Sequence, residues 1–204
     1  MHIFYQAWYN LKRPMHKEET MEKITHPVYK DYPEQPYISP DRDLEAWIST
    51  PERFPYSRVP RANMVRTEEG LLPGHIVMLW LMEVSSITNE FIAPQYFEYR
   101  YGVEAEEAKR LLVDKGYADY CGARESLPLL NAEVLKRLLK GKELPLSGKK
   151  EELLKRVQDN FSQEELEGLI TLRRYVITAE GTEALDRHRD IIKRHGMKAM
   201  YASK

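Results

Sequence analysis

The spacing of apolar positions changes along the chain, and each change marks an element. After the punctuation of Pro73 and Gly74, Ile76, Val77, Leu79, Trp80, Leu81 and Met82 leave almost no polar face. A helix that is apolar on most sides belongs in a core, so this run predicts a buried helix. A second helical stretch is expected from Ala93 and Pro94 to Gly102. A third is expected over 104–114, with acidic residues in its first turn and Leu111 and Leu112 on one face. Lys115 and Gly116 then supply a C-terminal cation and a glycine suited to the position just past a helix end. Residues 117–128 read as a short strand or loop. The segment 131–161 reads as two helices joined by a tight turn. Asn131 is placed to cap the first, whose apolar side is Val134, Leu135, Leu138 and Leu139. Leu144-Pro145-Leu146-Ser147-Gly148 makes the turn, with Ser147 placed to cap the second helix, whose apolar side is Leu153, Leu154, Val157 and Phe161. Arg174-Tyr175-Val176-Ile177-Thr178 is β-branched and aromatic and predicts a strand. Thr178 then caps a last helix over 180–195, which Gly196 ends.

Residues 1–70 follow another rule. Pro27, Pro33, Pro36, Pro40, Pro51, Pro55 and Pro60 recur every few residues. Each fixes its own φ, removes a donor and pushes the residue before it toward extended backbone, which excludes a long helix between Thr25 and Pro60. One short helix fits, with Ser39 as N-cap, Pro40 at the first helical position and Ile48 near its end. Residues 1–9 suit a short strand or an aromatic anchor. The segment as a whole is expected to be an extended arm whose Tyr and Trp side chains pack on the body. Its alternative use is as a surface for a homodimer or a protein partner.

Composition narrows the class. A chain of 204 residues allows one or two domains. With 42% hydrophobic and 31% charged residues it is somewhat polar but apolar enough to fold. A single cysteine, Cys121, excludes a disulfide framework and a cysteine-built zinc cage. No apolar run approaches the ~18 residues of a membrane span, and the N-terminus lacks a basic stretch followed by an apolar one. A cytoplasmic protein without membrane contact is expected. The net charge of -1 argues against a globally basic nucleic-acid binder, but the charge is unevenly spread. Residues 71–130 carry five positive and nine negative side chains, whereas 131–161 carry eight positive and five negative. The neutral whole conceals one basic helical hairpin.

A basic hairpin with free amides at its second helix's N-terminus suits a phosphate. Its residues Leu146-Ser147-Gly148-Lys149-Lys150-Glu151-Glu152-Leu153-Leu154-Lys155-Arg156-Val157 resemble the core of the SAP motif, a small DNA-binding helix–extended loop–helix module. The pattern is an apolar residue before Ser/Thr-Gly-x-Lys, then a Leu pair, then Arg and an apolar residue. Val134-Leu135-Lys136-Arg137-Leu138-Leu139 matches the motif's first helix. Glu143 departs from it, standing where the family usually has glycine. The resemblance implies duplex DNA as partner, held through its phosphate backbone with little sequence selectivity. It implies that Ser147, Gly148, Lys149 and Lys150 approach phosphate, supported by Lys136, Arg137, Lys140, Lys155 and Arg156. Arg156 has an alternative partner in Glu152, four residues earlier.

The flanks resemble another family. A helix ending Leu111-Leu112-Val113-Asp114-Lys115-Gly116-Tyr117, and the later Tyr175-Val176-Ile177-Thr178-Ala179-Glu180-Gly181, are similar to the recognition-helix end and the wing-to-helix junction of winged-helix proteins. This implies a mainly α, α+β winged-helix-like domain over 71–128 and 169–196. A SAP-like module over 129–165 is inserted at its wing, with the arm over 1–70 and a tail over 197–204. The helix that would read a major groove is acidic at its start and offers only Lys109 and Arg110. A scaffold that has lost direct base readout is therefore expected.

Catalysis finds little support. The six histidines show no metal-binding spacing. No phosphate-binding glycine loop, dinucleotide pattern or nucleophile elbow is present. Only scattered carboxylates leave room for a nuclease. The expectation is a non-enzymatic DNA-binding accessory or regulatory protein without metal or cofactor. The alternative is a protein–protein adaptor.

Overall fold

The computed structural model describes residues 25–54 and 56–196. The expectations for residues 1–9 and for the tail lie outside them. Six residues form α1 (Leu44–Ser49), and the longest helix among the described residues is α2 (Pro73–Val84). One turn, α3 (Tyr96–Tyr99), and α4 (Ala105–Asp114) follow, then β1 (Ala118–Tyr120) and another single turn, α5 (Ala123–Ser126). Next come α6 (Ala132–Gly141), α7 (Lys150–Asn160) and α8 (Gln163–Leu169). The chain closes with β2 (Tyr175–Ile177), α9 (Ala179–Arg187) and α10 (Arg189–His195). The described chain is mainly helical with one two-stranded sheet. None of its helices is long and apolar enough to cross a membrane.

α2 is the hub, as its all-round apolarity demands. Ile76, Val77, Met78 and Leu79 are fully buried. Pro73 starts it, and His75, itself buried, turns its Nδ1 back to accept the Leu72 N–H at 3.1 Å. Burial penalises the charged imidazole and pulls the His75 pKa down to about 4. Gly74 lets the segment Tyr101–Val103 come close: a Cβ there would stand 2.7 Å from a Val103 methyl.

The proline-rich segment shares this core. Tyr29, Ile38, Leu44, Val59 and Met64 belong to the same buried cluster as α2, Leu112 of α4 and Leu185 of α9. Arg42 crosses between them, its guanidinium 4.5 Å above the Trp47 ring and 3.5 Å from Glu98. The short helix begins later than its proline suggests. Asp43, not Ser39, is the N-cap and accepts the Ala46 N–H at 3.0 Å. Ser39 is used in a tight turn, its carbonyl accepting the Arg42 N–H, which leaves Pro40 outside the helix.

β1 and β2 pair antiparallel, with Ala118 opposite Ile177 and Tyr120 opposite Tyr175. The intervening residues leave and return as one excursion. Asn89 extends the ladder on the other edge. Its N–H donates to the Arg173 carbonyl, its Oδ1 accepts the Arg173 N–H, and its Nδ2 donates to the Thr171 carbonyl. Gly181 packs the first turn of α9 against the start of β1. A Cβ there would lie 2.1 Å from the Tyr117 carbonyl oxygen, so only glycine fits without movement.

A second apolar cluster fills the excursion. Leu127, Leu135, Leu139, Leu153, Val157 and Leu166 are all fully buried in it. Its base is polar and dense. Arg173, almost fully buried, pairs with Glu167 and donates to the Ile170 and Leu172 carbonyls, while Glu167 also accepts the Ala123 N–H at 2.8 Å.

The expected last helix is two helices. The break falls at His188, whose backbone leaves helical geometry while its Nε2 meets Glu69 at 2.7 Å. Burial raises the Glu69 pKa, but hydrogen bonds from His188 and Arg187 outweigh it and bring the carboxyl down to about 2.

Candidate nucleic-acid interface

α6 and α7 pack against each other through Leu135, Leu139, Leu153 and Val157, which turns their polar sides outward. Asn131 caps α6 by accepting the Val134 N–H at 2.9 Å. At the other end the Leu144 N–H closes back to the Leu139 carbonyl. That closure requires a left-handed residue, and Glu143 takes it at φ 54, the single positive-φ residue other than glycine among those described. The departure at Glu143 thus falls where the backbone asks for glycine.

The connection 142–149 is longer than a tight turn. Arg156 explains why it holds its shape. Its Nη1 donates to the Pro145 carbonyl at 2.7 Å and to the Ser147 carbonyl at 3.1 Å. Arg156 therefore turns onto the loop and makes no ion pair with Glu152. Gly148 adopts φ +121, and a Cβ there would strike the Glu152 carboxylate. Ser147 does not cap α7; the N-cap is Lys149, without a side-chain hydrogen bond. The first turn of α7 carries its own acids, Glu151 and Glu152, which offset part of the dipole there.

The cations sort into two groups. Lys142 lies over the Phe161 ring at 4.3 Å, donates to the Asn160 carbonyl and pairs with Glu165 at 2.6 Å. Lys150 donates to the Pro128 carbonyl at 2.7 Å, and Lys155 pairs with Asp159 at 3.2 Å while remaining exposed. Lys136, Arg137, Lys140 and Lys149 are exposed and make no ion pair or side-chain hydrogen bond among the described residues. Half of the segment's eight positive charges are thus free for an external anion.

The structure corrects Lys109. It is 1% exposed, its ammonium 2.6 Å from Glu106 and 3.0 Å from the Phe91 carbonyl that accepts from it. A buried, paired lysine cannot reach DNA; it ties α4 to the loop before α3. Arg110 is exposed, yet it shares its surface with Glu106, Glu107 and Asp114. α4 presents a predominantly acidic face.

Sequence reasoning missed Arg124. Its guanidinium donates to the Gln158 and Phe161 carbonyls and so caps the C-terminal end of α7. Nothing in the local pattern around residue 124 signals a partner more than thirty positions away. Among the described residues, no three His, Cys, Asp or Glu side chains group to hold a metal ion. No protein-family model, curated protein or solved structure matches the chain.

Proposed function

We propose that the excursion between β1 and β2 binds duplex DNA through its phosphate backbone, as a SAP-like module on a winged-helix-like body. The observation that carries this reading is the set of free, exposed cations on and beside two packed helices: Lys136, Arg137, Lys140 and Lys149. Arg156 holds the loop between the helices in one shape, which supports this reading over a solvated charged face. The element order also supports it. A buried helix, the bridging residue Thr88, a short helix, α4 and two antiparallel strands follow the winged-helix sequence of elements. The acidic face of α4 argues that the body supports the module and leaves base reading in the major groove aside. The role is that of an accessory or regulatory protein, and the lone Cys121 thiol suits a reducing, cytoplasmic setting.

Duplex is favoured over single strands. Base stacking needs exposed rings, and the one aromatic residue of 121–174, Phe161, is 5% exposed beneath Lys142. The test is fluorescence anisotropy with a labelled mixed-sequence duplex at low salt. Binding is expected, and Lys140→Glu with Lys149→Glu should abolish it. No duplex binding, or binding indifferent to that charge reversal, refutes the reading.

A further inference from the structure

Leu146 is one of few large apolar side chains left exposed among the described residues, at 38%. Single exposed leucines are common on surfaces and usually need no explanation. This one differs in how it is held. The carbonyls of the residues on either side, Pro145 and Ser147, are both bound by the Arg156 guanidinium. Gly148 follows with a left-handed backbone, and Lys149 with a free ammonium comes next. The Arg156 clamp fixes Leu146 between two anchored peptide groups, with the exposed Lys149 three residues on and the acids Glu151 and Glu152 beyond it.

We infer that Leu146 is the groove-contacting side chain of this interface and that Arg156 is its positioning residue. The inference rests on the duplex-binding reading above. Phosphate contacts from Lys136, Arg137, Lys140 and Lys149 set the module on the backbone. Leu146 then enters the groove and meets sugar and base carbon atoms. Leucine has no hydrogen-bonding group, so it reads no base edge. Its contact depends on groove width and on how readily a base step opens around an apolar wedge. Arg156 contributes through the loop and makes no phosphate contact of its own.

The experiment uses the full chain and two duplex probes, one end-labelled and one carrying a fluorescent adenine analogue at its centre. Leu146→Ala should weaken binding about fivefold, the scale of losing a partly buried leucine contact. Because no counterion is involved, the slope of log affinity against log salt should not change. The analogue's fluorescence response should fall with it. Arg156→Gln should speed amide hydrogen exchange over 145–148 in the DNA-free protein and weaken binding to a similar degree. Leu146→Ala and Arg156→Gln together should lose little more than either alone, since both remove one contact. If Arg156 touches phosphate directly, Arg156→Gln lowers the salt slope by about 0.9 and leaves exchange unchanged; that result overturns its positioning role. Duplex binding within twofold of wild type for Leu146→Ala overturns the inference while the DNA reading stands. Absence of duplex binding by the wild-type chain overturns both.

Discussion

The salt dependence expected of the proposed duplex binding separates what the folded chain offers from what its charge count suggests. Nine cations stand out in the sequence as candidates: Lys109, Arg110, Lys136, Arg137, Lys140, Lys149, Lys150, Lys155 and Arg156. In the fold, Lys109 is buried and paired, Arg156 is turned onto the loop, Lys150 holds the Pro128 carbonyl and Lys155 meets Asp159. Four module cations remain free, and Arg110 on α4 is a fifth exposed one. Each phosphate neutralised contributes a slope of about −0.9 in log affinity against log salt, so four contacts give about −3.6 and five about −4.5. Between about 50 and about 200 mM salt, four contacts predict a loss of roughly 150-fold, whereas nine would predict nearly 10⁵-fold. The assay is an anisotropy titration of a labelled duplex at several potassium chloride concentrations. Lys136→Gln should lower the slope by about 0.9. Lys109→Met should leave the slope unchanged while destabilising the fold by about 1–3 kcal/mol, because the Phe91 carbonyl loses its donor. A measured slope steeper than about −7 would refute this assignment of buried and free cations, and one near zero would refute phosphate binding itself.

Other expectations follow from the backbone and from titration. Glu143→Gly relieves the left-handed strain at φ 54 and should raise stability by about 0.5–1 kcal/mol in chemical denaturation. It also removes a carboxylate from the loop, so duplex affinity should rise; a destabilised variant would refute the strain argument. Gly181→Ala and Gly168→Ala form a matched pair in helices. Alanine's propensity favours both by about 1 kcal/mol. At Gly168 nothing stands within 4 Å, so that gain should appear. At Gly181 the Tyr117 carbonyl lies 2.1 Å from the new Cβ, and the overpacking cost of about 1–3 kcal/mol should exceed the gain. Equal thermal shifts for the two variants would refute the close approach. His75 has its folded pKa at about 4, below the ordinary 6.5, so the fold binds the proton less readily than the unfolded chain. Its contribution is present above pH 6.5 and lost as pH falls toward 4, by up to about 3 kcal/mol. His75→Asn can still accept the Leu72 N–H, and it should flatten stability across that window; an unchanged pH profile would show that His75 does not titrate as described.

The sequence by itself determined the local elements. The all-round apolarity of 76–82 requires a buried helix whatever surrounds it, and Ile76 to Leu79 are the hub of the core. Asn131 and Thr178 cap the helices they precede, because capping depends on a short-range bond between a side chain and an amide three residues on. The uneven charge was legible too, since counting needs no coordinates. The tertiary structure alone decided which charges are free. Whether a basic side chain faces solvent depends on groups distant in sequence: Phe91 for Lys109, Pro128 for Lys150, Pro145 for Arg156. It also decided where the last helix breaks, because Glu69, far along the chain, meets His188 and Arg187 there. Local periodicity carries propensity and amphipathic direction. Long-range hydrogen bonds and burial carry the assignment of each polar group to core or to solvent, and the proposed interface is the remainder that those bonds leave unpaired.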